Sequence, residues 1–147
     1  MRLILKYSLL NSASGLLTGF LVWFSATGEG YYFFPVAAPV AAFITGWIFW
    51  EIFQGNQKKL KISKALLAGL FAGSVSHYLC WLIIVIGMNI RHVFHGNAAE
   101  SLFTIVTGCF ALTFFSLMFY GWLTVPMAVI IGVFLVKKEN KKRVGEQ

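Results

Sequence analysis

The sequence predicts an all-α fold, a polytopic transmembrane helical bundle of four spans with both termini in the cytoplasm. Three observations carry that expectation. Of the 147 residues, 59% are hydrophobic and 12% charged, with a mean hydropathy of +0.77, whereas a soluble domain runs near ~45–50% apolar and ~25% charged. The apolar residues gather into runs about as long as the ~20 residues needed to cross a bilayer. Eleven of the twelve Lys and Arg side chains fall on one side of the resulting arrangement. A soluble core of this size has no room for fifteen Phe and five Trp, so lipid must face much of the surface.

Taken in order, the first block covers about 9–26, follows Arg2 and Lys6, and ends at Thr27-Gly28-Glu29-Gly30. A cleaved leader is the competing reading, because Ala26-Thr27-Gly28 has the small-x-small form of a cleavage site. The length of the block and the four-residue spacing of Asn11, Gly15 and Gly19 suit a packed helix instead. The second block, about 31–53, stops before Gln54-Gly55-Asn56-Gln57 and the basic run Lys58, Lys59, Lys61 and Lys64. The third, about 65–88, stops before Asn89, Arg91, His92 and His95.

The last apolar block, 101–136, has 36 residues. As a straight helix it would measure about 54 Å, against a hydrocarbon core of ~30 Å. Splitting it at Tyr120-Gly121 gives five spans, but with almost no polar turn and with Lys137 to Arg143 opposite the other basic loop, against the charge rule. The favoured span is therefore 116–136, with a kink expected at Pro126. Residues 101–115 are left as a re-entrant, tilted or interfacial helix, or as an extension buried by partners. The positive-inside rule then puts Arg2, Lys6, the 58–64 lysines and the five basic residues of 137–143 in the cytoplasm, leaving only Arg91 outside. A multi-pass plasma (inner) membrane protein is the corresponding localisation, and the chain reads as one domain, 1–147.

The net charge of +7 would suggest nucleic acid in a soluble protein, but here it reports orientation. No nucleic-acid partner, cofactor or catalytic motif is expected. Three rows of small residues offer close helix approach: Asn11, Gly15 and Gly19; Ala38, Ala42 and Gly46; and Ala65, Gly69, Gly73 and His77. They pack the chain's own bundle or dock a partner. His77 lies near the midplane, where a polar side chain must be paired, and it is the candidate intramembrane polar site. Asn11 is expected to join helices. In the outer loop, Arg91, His92, His95 and Glu100 form a second candidate; HxxH with Glu100 is the one conceivable metal pattern, and its specificity is low.

Glu51 is expected to pair with the 58–64 lysines, and that run to lie on anionic headgroups at ~1 kcal/mol per side chain. Trp23, Tyr31, Tyr32, Trp50 and Trp122 read as interfacial anchors. Cys80 and Cys109 lie at comparable depth inside apolar blocks, so a disulfide is geometrically open without being indicated. A non-enzymatic protein that docks helix-to-helix on a membrane partner, as an accessory subunit, assembly factor or immunity-type protein, fits this pattern best. A homo-oligomeric transporter or channel, using the partial stripe Ser8, Asn11, Ser12, Gly15, Thr18 and Gly19, is the alternative. An intramembrane enzyme comes third, since only His77 is ionisable at depth.

Overall fold

The computed structural model describes residues 3–28, 30–55 and 60–145. Among them every regular element is a helix: α1 (Leu3–Ser25), a single 3-10 turn (Tyr31–Phe33), α2 (Phe34–Gln54), α3 (Ile62–Phe94), α4 (Leu102–Ser116), a π-helical turn (Leu117–Gly121) and α5 (Trp122–Gly145). Three stretches, Tyr31–Gln54, Ile62–Phe94 and Leu102–Arg143, are long and apolar enough to cross a membrane. Helix α1 has 23 residues, but its serines, Asn11 and Thr18 dilute its apolar character. Several of those polar residues are buried: Ser8, Asn11 and Thr18 face the bundle.

Helices α1, α2, α3 and α5 close a ring in which α1 touches α2 and α5, α2 touches α3, and α3 touches α5. Small residues set the distances. A Cβ built on Gly69 would lie 2.5 Å from the Val129 Cα, and one on Gly73 2.8 Å from the Val125 Cα. On the other side of the ring, a Cβ on Gly19 would meet the Phe34 carbonyl oxygen at 2.6 Å, and one on Gly15 the Ala38 oxygen at 2.8 Å. Such approach is what helix association in lipid relies on, since apolar contact alone does not distinguish a neighbour from a lipid tail.

Two apolar clusters fill the ring. The first, toward the basic end, joins Ile4, Tyr7, Trp50, Ala65, Ala68, Leu135 and Val136. The second joins Val22, Phe34, Ala37, Ala41, Cys80 and Ile84. Trp50 corrects an expectation: it is only 3% exposed and its ring lies 4.4 Å from that of Tyr7. It packs the core instead of anchoring an interface, whereas Trp23, Tyr32 and Trp122 are exposed. Near the first cluster, Gln54 donates through Nε2 to the Lys61 carbonyl at 2.7 Å, and Asn140 donates to the Leu60 carbonyl at 3.2 Å. These two amides hold Leu60 and Lys61, at the start of α3, against α2 and α5.

The other end is built differently. Helix α3 runs six residues past the expected limit at 88, so Arg91 and His92 belong to its last turn and the connection shrinks to 95–101. Gly96 ends the helix at φ +81°, with its N–H on the Val93 carbonyl and that of Asn97 on the His92 carbonyl. This paired pattern needs a left-handed residue that glycine adopts without a Cβ penalty. Ser101 starts α4 by accepting the Thr104 N–H at 3.1 Å, as an N-cap does. From Leu102 the chain continues helically through the π turn into α5. Pro126 sits inside α5, and the departure from regular α-helix lies in the turn just before α5. Helix α4 packs on α3 and buries only Ile105 and Cys109.

Candidate functional site

The polar groups scattered over α1, α3, α4 and α5 meet in one place. Between the two apolar clusters lies a cavity of about 50 Å³, lined by residues including Asn11, Ser14, Thr18, Ser76, His77, Ser116 and Thr124. That volume holds a few waters at most, taking ~10–15 Å³ for each probe-sized site. His77 is its centre. The ring Nδ1 lies 2.6 Å from the Ser116 hydroxyl and Nε2 lies 2.7 Å from the Thr124 hydroxyl. Thr124 directs its own proton to the Tyr120 carbonyl at 3.1 Å, so its oxygen accepts from Nε2–H. In the neutral tautomer that this sets, Ser116 donates to Nδ1 and both ring nitrogens are satisfied.

The π turn makes this bridge. Eight residues separate Ser116 from Thr124, and in a regular helix eight residues overshoot two turns by about 80°. One residue absorbed by the π turn reduces that offset to roughly 20°, and both hydroxyls face α3. Tyr120, inside the π turn, is also 3.0 Å from the Ser25 hydroxyl at the end of α1. Helices α1 and α3 are thus both tied to the irregular segment.

Asn11 lines the cavity and lies against Gly46 of α2, but its amide donates to the Tyr7 carbonyl one turn back, at 3.0 Å. That bond stays within α1, unlike the interhelical bond expected. Gly15 and Gly19 pack on α2, and Gly69 and Gly73 on α5. Ala38 and Ala42 meet Gly15, and Gly46 meets Ser8 and Asn11. All three small-residue rows are therefore spent within one protomer.

The outer-loop candidate divides. Arg91, His92 and His95 line a cavity of about 210 Å³ with Tyr32, Met88 and Asn97. Arg91 donates to the Tyr32 hydroxyl, and His95 Nδ1 lies 2.8 Å from the Arg91 carbonyl. Glu100 lines a neighbouring cavity of about 470 Å³, and its backbone N–H donates to the Asn89 side chain at 3.0 Å. Among the described residues no three His, Cys, Asp or Glu side chains converge as metal ligands do. No ion pair joins Glu51 to Lys61 or Lys64 among those residues, and Lys58 and Lys59 lie outside them. Cys80 and Cys109 are buried and unbonded.

Sequence reasoning gave no functional role to Ser116, Thr124, Tyr120, Tyr7 or Trp81. The first two are ordinary helix residues until the π turn aligns them. The Trp81 indole N–H is buried without an acceptor among the described residues; its position in an apolar block gave no sign of this. Comparison with protein-family models, curated proteins and solved structures returned no match. The functional reading rests on the geometry of the chain itself.

Proposed function

We propose that this chain is a small non-enzymatic membrane protein with four spans and cytoplasmic termini, acting in the plasma (inner) membrane by docking helix-to-helix on a membrane partner. The observation that supports the reading most is the state of α4. The small-residue rows of α1, α2 and α3 are matched inside the protomer, while α4 touches the rest of the chain through one narrow edge that buries Ile105 and Cys109. Phe103, Phe110 and Phe114 are 63–78% exposed, and Thr107 and Ala111 beside them are exposed as well. Small and aromatic side chains together on an unmatched helix offer a partner both close approach and apolar area. Placing a photo-crosslinking amino acid at Thr107, Phe110 or Phe114 is expected to give a discrete protein adduct in intact membranes. The same probe at Leu17, on the exposed side of α1, serves as the control. Equal or absent adducts at both places would remove the docking reading.

The orientation has its own test, resting on the basic asymmetry. A C-terminal reporter fusion is expected to signal from the cytoplasm, and a cysteine at Gly96 to react with an impermeant reagent in intact cells. Reaction from outside at Lys61 or Lys64 would reverse the arrangement.

A homo-oligomeric transporter or channel is the second reading, and the polar lining around His77 is what favours it. In that reading the Asn11 side of α1 and His77 line a path. The cavity volume and the two satisfied ring nitrogens suit a structural centre better, since a conducting path needs polar lining that continues to both surfaces.

A further inference from the structure

The outer half of the molecule carries a second feature that docking does not use. A cavity of about 470 Å³ runs between α3 and α4, with Trp81, Val85, Ile105, Gly108 and Leu112 along its apolar part and Asn89, His92, Glu100 and Thr104 at its polar end. The 210 Å³ cavity that holds Arg91 adjoins it, because Met88 and His92 line both. Its size is within the ~300–1,000 Å³ of ligand pockets.

Depth along α3 orders these groups. His77 lies near the midplane, and His92 is fifteen residues further, or about 22 Å. Arg91, His92 and Glu100 therefore stand at headgroup height, while Trp81 and Val85 stand among acyl chains, in a core that extends about 15 Å from the midplane. A polar chamber carrying one cation and one carboxylate sits directly above an apolar slot.

We propose that this slot holds one phospholipid, with a tail between α3 and α4, its phosphate at Arg91 and a headgroup amine at Glu100. A guanidinium has five donors, so the bond to Tyr32 leaves others for phosphate oxygens, which Arg suits as a fork of N–H groups. Glu100 opposes a purely anionic headgroup and favours one that carries phosphate and ammonium together.

Gly108 supplies a clean test, because a Cβ there meets no atom within 4 Å while the residue lines the slot. Gly87 is equally open on α3 and lines neither of the two cavities. The full-length protein would be delipidated in mild detergent, supplied with phosphatidylethanolamine, and read by native mass spectrometry. One bound lipid per chain is expected for the wild type and for Gly87→Leu, with at least a tenfold loss of affinity for Gly108→Leu. Arg91→Gln, at an exposed position, is expected to weaken binding without altering thermal stability, and keeps the test valid if the leucine variant fails to fold. Glu100→Gln is expected to abolish the preference for phosphatidylethanolamine over phosphatidylglycerol. Unchanged lipid occupancy in both Gly108→Leu and Arg91→Gln, or a wild-type preference for phosphatidylglycerol, would overturn the proposal.

Discussion

Gly69→Leu is expected to lower the thermal midpoint of the detergent-solubilised protein by roughly 10 °C or to prevent its accumulation, while Gly87→Leu leaves it within about 1 °C. A Cβ at position 69 would meet the Val129 Cα and N at 2.5 and 2.6 Å and the Ala128 carbonyl carbon at 2.9 Å. These are backbone atoms of α5, which no rotamer change can move aside. Relief requires α3 and α5 to separate, which also opens the packing of Ala65, Ala68 and Val136. Overpacking usually costs about 1–3 kcal/mol where side chains can yield; here they cannot, and about 3 kcal/mol or more is expected. In a chain of this length each kcal/mol corresponds to about 2–4 °C. Fluorescence-detected size exclusion after a heating series measures the effect. Equal midpoints for the two variants would mean that the Gly69 edge does not meet α5. Ile84→Leu is a poorer control than Gly87→Leu, since Ile84 is 1% exposed within the second cluster.

The second large effect is expected at His77. His77→Leu removes both hydrogen bonds and leaves the Ser116 hydroxyl facing an apolar side chain, at a cost of about 1–3 kcal/mol. Interhelical bonds in membranes average nearer ~0.6 kcal/mol when the unfolded reference finds other partners, so the low half of that range is expected. His77→Gln keeps one donor and one acceptor but cannot titrate, and its stability should fall between those of the leucine variant and the wild type. Thermal midpoints of the three proteins give the order directly. Under the docking reading, the crosslinks from α4 and any cellular phenotype survive His77→Gln. A stable, assembled His77→Gln protein that has lost a measurable flux would replace docking with transport.

Much of this structure is legible along one coordinate, the position of each residue on its helix axis. Hydropathy marks the apolar middle of each helix, because lipid imposes length and excludes charge; the helices themselves run on past those limits, α1 from Leu3, α3 to Phe94 and α5 to Gly145. The misplaced boundary of α3 has a local reason: Arg91 and His92 are polar yet remain helical, since the helix ends only where Gly96 adopts φ +81°. The small-residue rows at Gly15 and Gly19, and at Gly69 and Gly73, were visible from spacing alone, as was the need to pair His77.

What the sequence withholds is the direction each residue faces around its axis. In a membrane protein the lipid side is as apolar as the core, so hydrophobic periodicity does not separate inside from outside. Trp50 illustrates this: its place near a helix end suits an interfacial anchor, and only packing against Tyr7 turns it inward. The bridge from His77 to Ser116 and Thr124 joins residues 39 and 47 positions apart, and it exists because one π turn rotates α5 relative to α4. By itself, then, the sequence determined the all-helical character, the presence of helices long and apolar enough to cross a membrane, the place of each apolar block and which residues are small enough for close approach. Tertiary structure decided which helices meet at those residues, that their rows are spent inside one protomer, and that α4 is left with an unmatched face. The physical reason is that length and polarity are fixed by the solvent each segment meets, whereas rotation and partner choice are fixed by steric fit between helices distant in the chain.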